Sequence, residues 1–457
     1  MHSDSQPPIS LFDRFNQWIR TSTMLKLAVV GILVLVLLIP TSLVQSLIAE
    51  REQTRDAAVR EVSGKWGDRQ TIGGPVLSVP FTTVEKDEKG RTYTTTNFAH
   101  VLPDDLQITG TIQPEQRSRG IFAVILYNTR LTIKATLKRA VAQRLGISAA
   151  SLQWEKAFIS VGITDMKGIK GTIRMQVNGR SVVVEPGVPT ADVLRSGVSA
   201  LLPADALDIQ FLCELNLNGS TELTFLPFGK QTTVSLTSPW ATPSFSGAYL
   251  PNQREVRADG FRATWKVLQY NRNFPQQGIG AFMQQANNGD EKAVVPVTND
   301  TAFGVKLLLP VDESQKITRS AKYAIMFILI TFAAFFFVEI LNKQRIHPVQ
   351  YLLVGFTICL FYLLLLAISE HLSFNLAYLI GAAVTLFMIS LYVRYVFRND
   401  RLTVLFTAVL ALLYGFFFSL LQLEDYSLLL GSAGLLLIHA AIMYLTRDVN
   451  WYQVYDH

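Results

Sequence analysis

Residues 27–48 read LAVVGILVLVLLIPTSLVQSLI, a run without one Lys, Arg, Asp or Glu and long enough as a helix to cross the ~30 Å hydrocarbon core of a bilayer. Lipid offers no partner for backbone N–H and C=O groups, so a segment that enters it must satisfy them internally, and a helix does so. Five more such stretches crowd the C-terminal third, at 323–340, 349–368, 374–393, 402–421 and 426–445, and their interiors lack Lys, Arg and Asp. These runs account for a 457-residue chain that is 49% hydrophobic and only 17% charged, too apolar for one ordinary soluble enzyme. The fold class expected is a membrane protein of α+β type. It has six transmembrane helices, one N-terminal and five C-terminal, and a large β-rich domain inserted between helices 1 and 2.

Basic residues resist translocation, so their placement in short loops sets the orientation. Arg14, Arg20 and Lys26 precede the first span, Lys343 and Arg345 follow the second, Arg394, Arg398 and Arg401 follow the fourth, and Arg447 follows the sixth. The loops 369–373 and 422–427 hold no Lys or Arg, only the acids Glu370, Glu424 and Asp425. Tyr351, Tyr392, Tyr395, Trp451 and Tyr452 flank the spans as interface rings. The alternation predicts cytoplasmic segments at 1–26 and 446–457, a first helix at 27–48, a periplasmic domain over 49–322 and a five-helix bundle over 323–445. A cleaved signal peptide is the rival reading of the first span. It is disfavoured by the long segment before it and by apolar character that resumes past Pro40.

Residues 49–322 carry 32 of the 41 basic and 26 of the 35 acidic side chains. They open on 50–66, where Asp56/Arg60 and Glu61/Lys65 are i,i+4 pairs, and this predicts that the first helix continues until Gly64 or Gly67 stops it. Period-two patterns follow. Asn178-Gly179 is expected to join strands 172–177 and 180–185, and Asn218-Gly219 strands 208–217 and 220–226, as hairpins. Further strands are expected at 76–81, 92–101, 107–113, 123–137, 157–163, 232–237, 261–267 and 303–309, with short helical patches at 137–145 and 279–286. A sandwich of two packed sheets accommodates this number of strands, with a weak internal boundary near 186–203.

Chemistry is harder to find. A phosphate-binding G-x-x-x-x-G-K-[ST], an H-E-x-x-H and a G-x-S-x-G are absent, and the six histidines, at 2, 100, 347, 371, 439 and 457, lack metal-binding spacing. Cys213 and Cys359 are two lone cysteines, the second inside an apolar run, so no disulfide is expected. No cofactor, metal or catalytic residue is expected from these absences, and no nucleic-acid partner, because the +6 charge reads as a topology signal. The candidate intramembrane polar residues are His439, Glu339, Glu370 and His371, since ionisable groups there are costly and usually retained for a reason. Each also has a plain structural reading, with Glu339 meeting Lys343 or Arg345. Arg254, Arg257, Arg262 and Lys266, interleaved with Trp240, Phe261, Trp265 and Tyr270, are the candidate binding surface for sugars or anionic polymers. Against that, Phe261 and Trp265 occupy alternate strand positions that suit a core.

Several ordered stretches make the chain resemble a known family. They are Leu37-Leu38-Ile39-Pro40, Gly73-Gly74-Pro75 with Val79-Pro80, Ser160-Val161-Gly162-Ile163-Thr164-Asp165 and Pro243-Ser244-Phe245. In the membrane part they are the run His347-Pro348-Val349-Gln350-Tyr351, then Ser369-Glu370-His371 and Trp451-Tyr452-Gln453-Val454. Over nearly its whole length the chain resembles the CreD family of inner-membrane, cell-envelope-integrity proteins of Gram-negative bacteria. It departs from the family at Ala241-Thr242, where Pro-His is usual, and at Asn450, where Asp is common. The resemblance implies expression under a two-component system and an association with colicin tolerance and β-lactam response, but no catalytic residues. The leading expectation is a non-enzymatic envelope factor in which the bundle is the anchor in the lipid bilayer and the periplasmic domain binds an envelope component or protein. The alternatives are an ion-coupled permease resting on His439 and Glu339, and an envelope-remodelling enzyme resting on Asp165 and His100.

Overall fold

The computed structural model describes residues 23–86, 92–139, 145–203, 208–287, 290–296, 299–308, 313–342, 346–423 and 426–447. Arg14, Arg20, Lys343, Arg345, Glu424, Asp425, Asn450, Trp451 and Tyr452, which entered the reading above, lie outside them. The chain forms two compact units, one of residues 1–54 with 311–457 and one of residues 55–310.

In the helical unit, α1 (Thr23–Trp66) runs unbroken through the first apolar stretch and the charged one after it, and ends where the Gly67 N–H donates to Ser63 O at 2.8 Å. After the β unit come α2 (Glu313–Lys322), α3 (Ala324–Leu341), α4 (Pro348–Ile368), α5 (Phe374–Phe397), α6 (Asp400–Gln422) and α7 (Ser427–Thr446). Six of these, α1 and α3–α7, are long and apolar enough to span a membrane, in the one-plus-five arrangement expected. The unanticipated element is α2, which buries Ile317, Ser320 and Ala321 and breaks from α3 at Tyr323.

The bundle interior is aromatic. Phe327, Phe335, Phe361, Phe397 and Phe406 are no more than 2% exposed, and ring centroids approach to 4.5 Å in the Phe327–Tyr414 and Phe335–Phe406 pairs. The first helix joins this core through Leu37, Val44 and Ile48. Leu37 fits over Gly355, where a Cβ would lie 2.2 Å from its Cδ1, the close approach that small residues permit between membrane helices.

The β unit contains β1 (Gln70–Lys86), β2 (Thr92–Val101), β3 (Asp105–Arg119), β4 (Phe122–Lys138), β5 (Phe158–Ile163), β6 (Arg174–Val177) and β7 (Arg180–Val182). Next come β8 (Glu185–Pro186), β9 (Gly197–Leu201), β10 (Asp208–Ser220), β11 (Glu222–Phe225), β12 (Gln231–Ser238) and β13 (Pro243–Gly247). The last six are β14 (Gln253–Arg257), β15 (Gly260–Leu268), β16 (Gln277–Ile279), β17 (Gln284–Asn287), β18 (Asp290–Pro296) and β19 (Phe303–Leu307). They build a nine-stranded sheet of order β13-β19-β11-β1-β5-β9-β8 with β2 and β16 attached, and an eight-stranded sheet of order β14-β15-β12-β3-β4-β10-β6-β7; β17 and β18 pair separately. The two large sheets share one apolar core. Trp265 of the second sheet lies 6.0 Å from Phe303 and 5.7 Å from Phe245 of the first, centroid to centroid, so the sandwich forms and Trp265 and Phe261 fill its interior.

Three local expectations need correction. The Asn178-Gly179 turn forms as read, with φ of +51° and +76° and Val177 paired to Arg180. Asn218-Gly219, however, is not a turn. β10 continues through it, pairing Asn218 with Asn128 and Gly219 with Tyr127, and the chain crosses to the other sheet at Thr221, φ +57°. Glycine is needed at 219 for room, since a Cβ there would lie 2.3 Å from the Tyr127 hydroxyl, whose O–H donates to Glu222 O at 2.7 Å. A Gly219→Val protein is therefore expected to lose roughly 1–3 kcal/mol by overpacking, measurable as a lower thermal midpoint of the β unit, whereas the turn reading predicts that Gly219→Asn is harmless. The helical patch expected at 279–286 is strand at both ends, because Gly278 and Ile279 pair with β2 and Gln284–Asn287 pair with β18. That at 137–145 begins as strand, since Leu137 keeps the period-two burial of β4; residues 140–144 lie outside the described ones.

Candidate functional sites in the bundle and the β unit

Glu339, in the last turn of α3, is 5% exposed and fully engaged. Its Oε1 accepts from Lys26 Nζ at 2.8 Å and from the Ile346 N–H at 3.4 Å, and its Oε2 from the Tyr351 hydroxyl at 2.9 Å. The partner among the described residues is thus Lys26 of the first helix; Lys343 and Arg345, the partners read from proximity in sequence, lie outside them. The run His347–Tyr351 explains itself here. The His347 ring accepts from the Val349 N–H, Pro348 begins α4, Gln350 returns a bond to the His347 N–H, and Tyr351 is thereby aimed at Glu339.

At the other end of the bundle Arg51 donates to Leu366 O and Ser369 Oγ, both at 3.4 Å, with Glu370 Oε1 at 3.9 Å. Lys26 and Arg51 are 25 positions apart on α1, about 38 Å along a helix, which matches a bilayer core with its interfaces. The apolar stretch of the first helix is therefore tied to the bundle at both ends. His371 is exposed beside Glu370. His439 lies on α7, whose apolar window buries none of its residues, and its side chain is exposed on that helix instead of facing the bundle core. The intramembrane candidates thus do not converge: Glu339 and Glu370 hold opposite ends, and His439 is remote from both core and clamps.

On the β unit, Arg254, Arg257, Arg262 and Lys266 are all exposed, but the register divides them. Arg262 and Lys266 lie on the solvent face of β15; Arg257 is on that side of β14, ion-paired to Glu255, and Arg254 on the other. Across the neighbouring strands the face is ordered in rows. Arg262, Thr237, Thr111 and Arg130 align in one, Thr264, Ser235, Thr109 and Thr132 in the next, and Lys266, Thr233, Gln107 and Lys134 in a third. A row of four hydroxyls is thus flanked by rows that end in cations. The signal was present in the period-two alternation of four strands, but only parallel pairing of β12 with β3 aligns them.

One constellation had no sequence signal. Antiparallel pairing of β1 with β2 sets Ser78 beside His100, Oγ to Nδ1 2.8 Å, and the 188–196 loop brings Asp192 Oδ2 to 3.0 Å from His100 Nε2. Ser78 and His100 are 2% and 1% exposed, and the Phe98 and Phe282 rings stack on the imidazole at 6.3 and 6.1 Å. Burial pushes the His100 pKa below its ordinary value, with Asp192 acting in the opposite direction. The composition is that of a hydrolytic triad, but the serine meets Nδ1 instead of Nε2 and is sealed from solvent. Asp165 is elsewhere in role: its carboxylate accepts the Asp68 and Lys167 N–H groups and caps a turn.

A bundle of spanning helices interrupted by a β sandwich, with its ion pairs at the bundle ends, defines a multi-pass membrane protein with a large extramembrane domain. The family model described as "Inner membrane protein CreD" matches residues 22–452. The chain is 34% identical over 428 residues to the Inner membrane protein CreD of Escherichia coli (strain K12), covering 92% of this chain and 91% of that one. The chain belongs to the CreD family of inner membrane proteins.

Proposed function

We propose that this chain is a non-enzymatic factor of the inner membrane, anchored by its helical unit with both termini in the cytoplasm, whose β unit is periplasmic and binds an envelope component. The observation that carries the reading is the solvent face of the eight-stranded sheet. Across eight strands it extends about 34 Å, and its hydroxyl row flanked by Arg130, Arg262, Lys134 and Lys266 suits a hydroxyl-rich, anionic polymer. The burial of Ser78 and His100 supports a role without catalysis, and the ring-filled interior of the bundle supports anchoring over conduction.

The test uses the full chain in lipid nanodiscs, assayed for co-sedimentation with isolated peptidoglycan and binding to lipopolysaccharide. Wild type is expected to bind one of them, and a variant carrying Arg130→Glu, Lys134→Glu, Arg262→Glu and Lys266→Glu to bind at least tenfold more weakly, with the contrast fading as salt rises. Binding to neither preparation removes the proposal. Equal binding by the reversed variant moves the site off this face.

A further inference from the structure

We propose that Ser78, His100 and Asp192 form a proton-operated latch that holds the 188–196 loop closed over the nine-stranded sheet and releases it in acid. Besides the Ser196 hydroxyl at its end, which donates to Ile163 O at 2.5 Å, the loop has two anchors over the sheet. Leu194, 7% exposed, fills a notch made by Gly73 and Gly162, where a Cβ would come within 3.3 and 2.5 Å of its Cδ2. Asp192 is the second, through its contact with the His100 ring. The apolar anchor is indifferent to pH, and the polar one is not.

The neutral imidazole satisfies every group in the relay. With Asp192 ionised, Nε2 carries the proton donated to it, which leaves Nδ1 to accept the Ser78 hydroxyl. A proton arriving from water would go to Nδ1. Ser78 would then have to turn from donor to acceptor, and its own hydrogen would be left without a partner at a site 2% exposed. The added charge would also lie in a site walled by Phe98 and Phe282, with Gly278 of β16 beside the ring. Among the described residues the elements packed on the imidazole present Ser78 from β1, the Phe282 ring, Gly278 flanked by Gln277 and Ile279, and the loop, whose charged groups are Asp192 and the exposed Arg195.

The sign follows. Burial lowers the proton affinity of the closed form below the ordinary histidine value of 6.5, so the open, hydrated form binds the proton more readily. Closure is fully favoured above about 6.5 and loses its advantage as pH falls below it. Asp192 works against burial by stabilising the imidazolium, so removing its charge moves release to higher pH. Opening uncovers the face that carries Ser78, Ser160 and Ser199, the latter two cross-strand partners, 3% and 7% exposed when closed.

The latch is tested by hydrogen–deuterium exchange of the full chain in nanodiscs between pH 7.5 and 5.0, corrected for intrinsic exchange, following peptides over 188–196 and, as a control, β10. Wild type is expected to exchange at least tenfold faster in the loop at pH 5.0, with β10 unchanged. His100→Gln, which keeps a neutral donor and acceptor, is expected to remove the pH dependence, and Asp192→Asn to raise the midpoint pH. A loop whose exchange is pH-independent in wild type, or equally pH-dependent in His100→Gln, overturns the proposal. Should His100→Gln fail to fold, an Asp192→Asn midpoint that does not move upward has the same consequence.

Discussion

Trp265→Ala is expected to destabilise the β unit by about 4 kcal/mol, a large part of the 5–15 kcal/mol that holds a typical domain. The indole is wholly buried where the sheets meet, its ring in contact with Phe245 and Phe303, and its Nε1–H donates to Tyr249 O at 3.2 Å. Truncation removes the apolar contacts, opens a cavity that rigid strands on both sides cannot collapse, and leaves the Tyr249 carbonyl without that donor. Limited proteolysis of the full chain in detergent reads the effect, as new cleavage within residues 70–308 while α3–α7 stay protected. Unchanged protease resistance would show that the sheets do not depend on this contact.

Lys26→Met is expected to cost the helical unit about 3 kcal/mol, at the low end for breaking a buried pair because the Lys26 side chain is 40% exposed and water screens part of the interaction. The cost arises from what remains: the Glu339 carboxylate, 5% exposed, keeps the Tyr351 hydroxyl and the Ile346 N–H but loses the Lys26 ammonium. The paired change Lys26→Met with Glu339→Gln is therefore expected to be more stable than Lys26→Met alone, because a neutral amide can stay hydrogen-bonded to Tyr351. Denaturing-detergent titrations of the four members of this cycle give the coupling energy. A double variant no more stable than the single one would mean that the ion pair is incidental.

Both experiments bear on how a fixed structure is reached, since the first helix is separated from the rest of its bundle by a large insertion and the sandwich is that insertion. The answer differs in the two units. Leu37, Val44 and Ile48 pack the first helix into an aromatic bundle, and Lys26 and Arg51 tie the ends of its apolar stretch, so its position is set by contacts to residues about 300 positions away. The sandwich is set by pairing of neighbouring and distant strands around a single core.

What could be read from the amino-acid order alone was whatever is local and additive. Transfer of a helix into lipid sums over some twenty consecutive residues, so all six spans were legible, and period-two burial exposed most strands, with β2 found to the residue. Family membership was legible for the same reason, through ordered short stretches such as Gly73–Pro75 and Ser160–Asp165. The tertiary structure alone decided pairings at long separation: Lys26 with Glu339 across 313 positions, His100 with Asp192 across 92, and the alignment of hydroxyls on four strands. It also decided that Asn218-Gly219 extends a strand, because the Tyr127 ring that demands glycine there comes from another strand. Side chains far apart in the chain meet only once register and packing have been chosen. That choice belongs to the free energy of the whole core and is not written in any one segment.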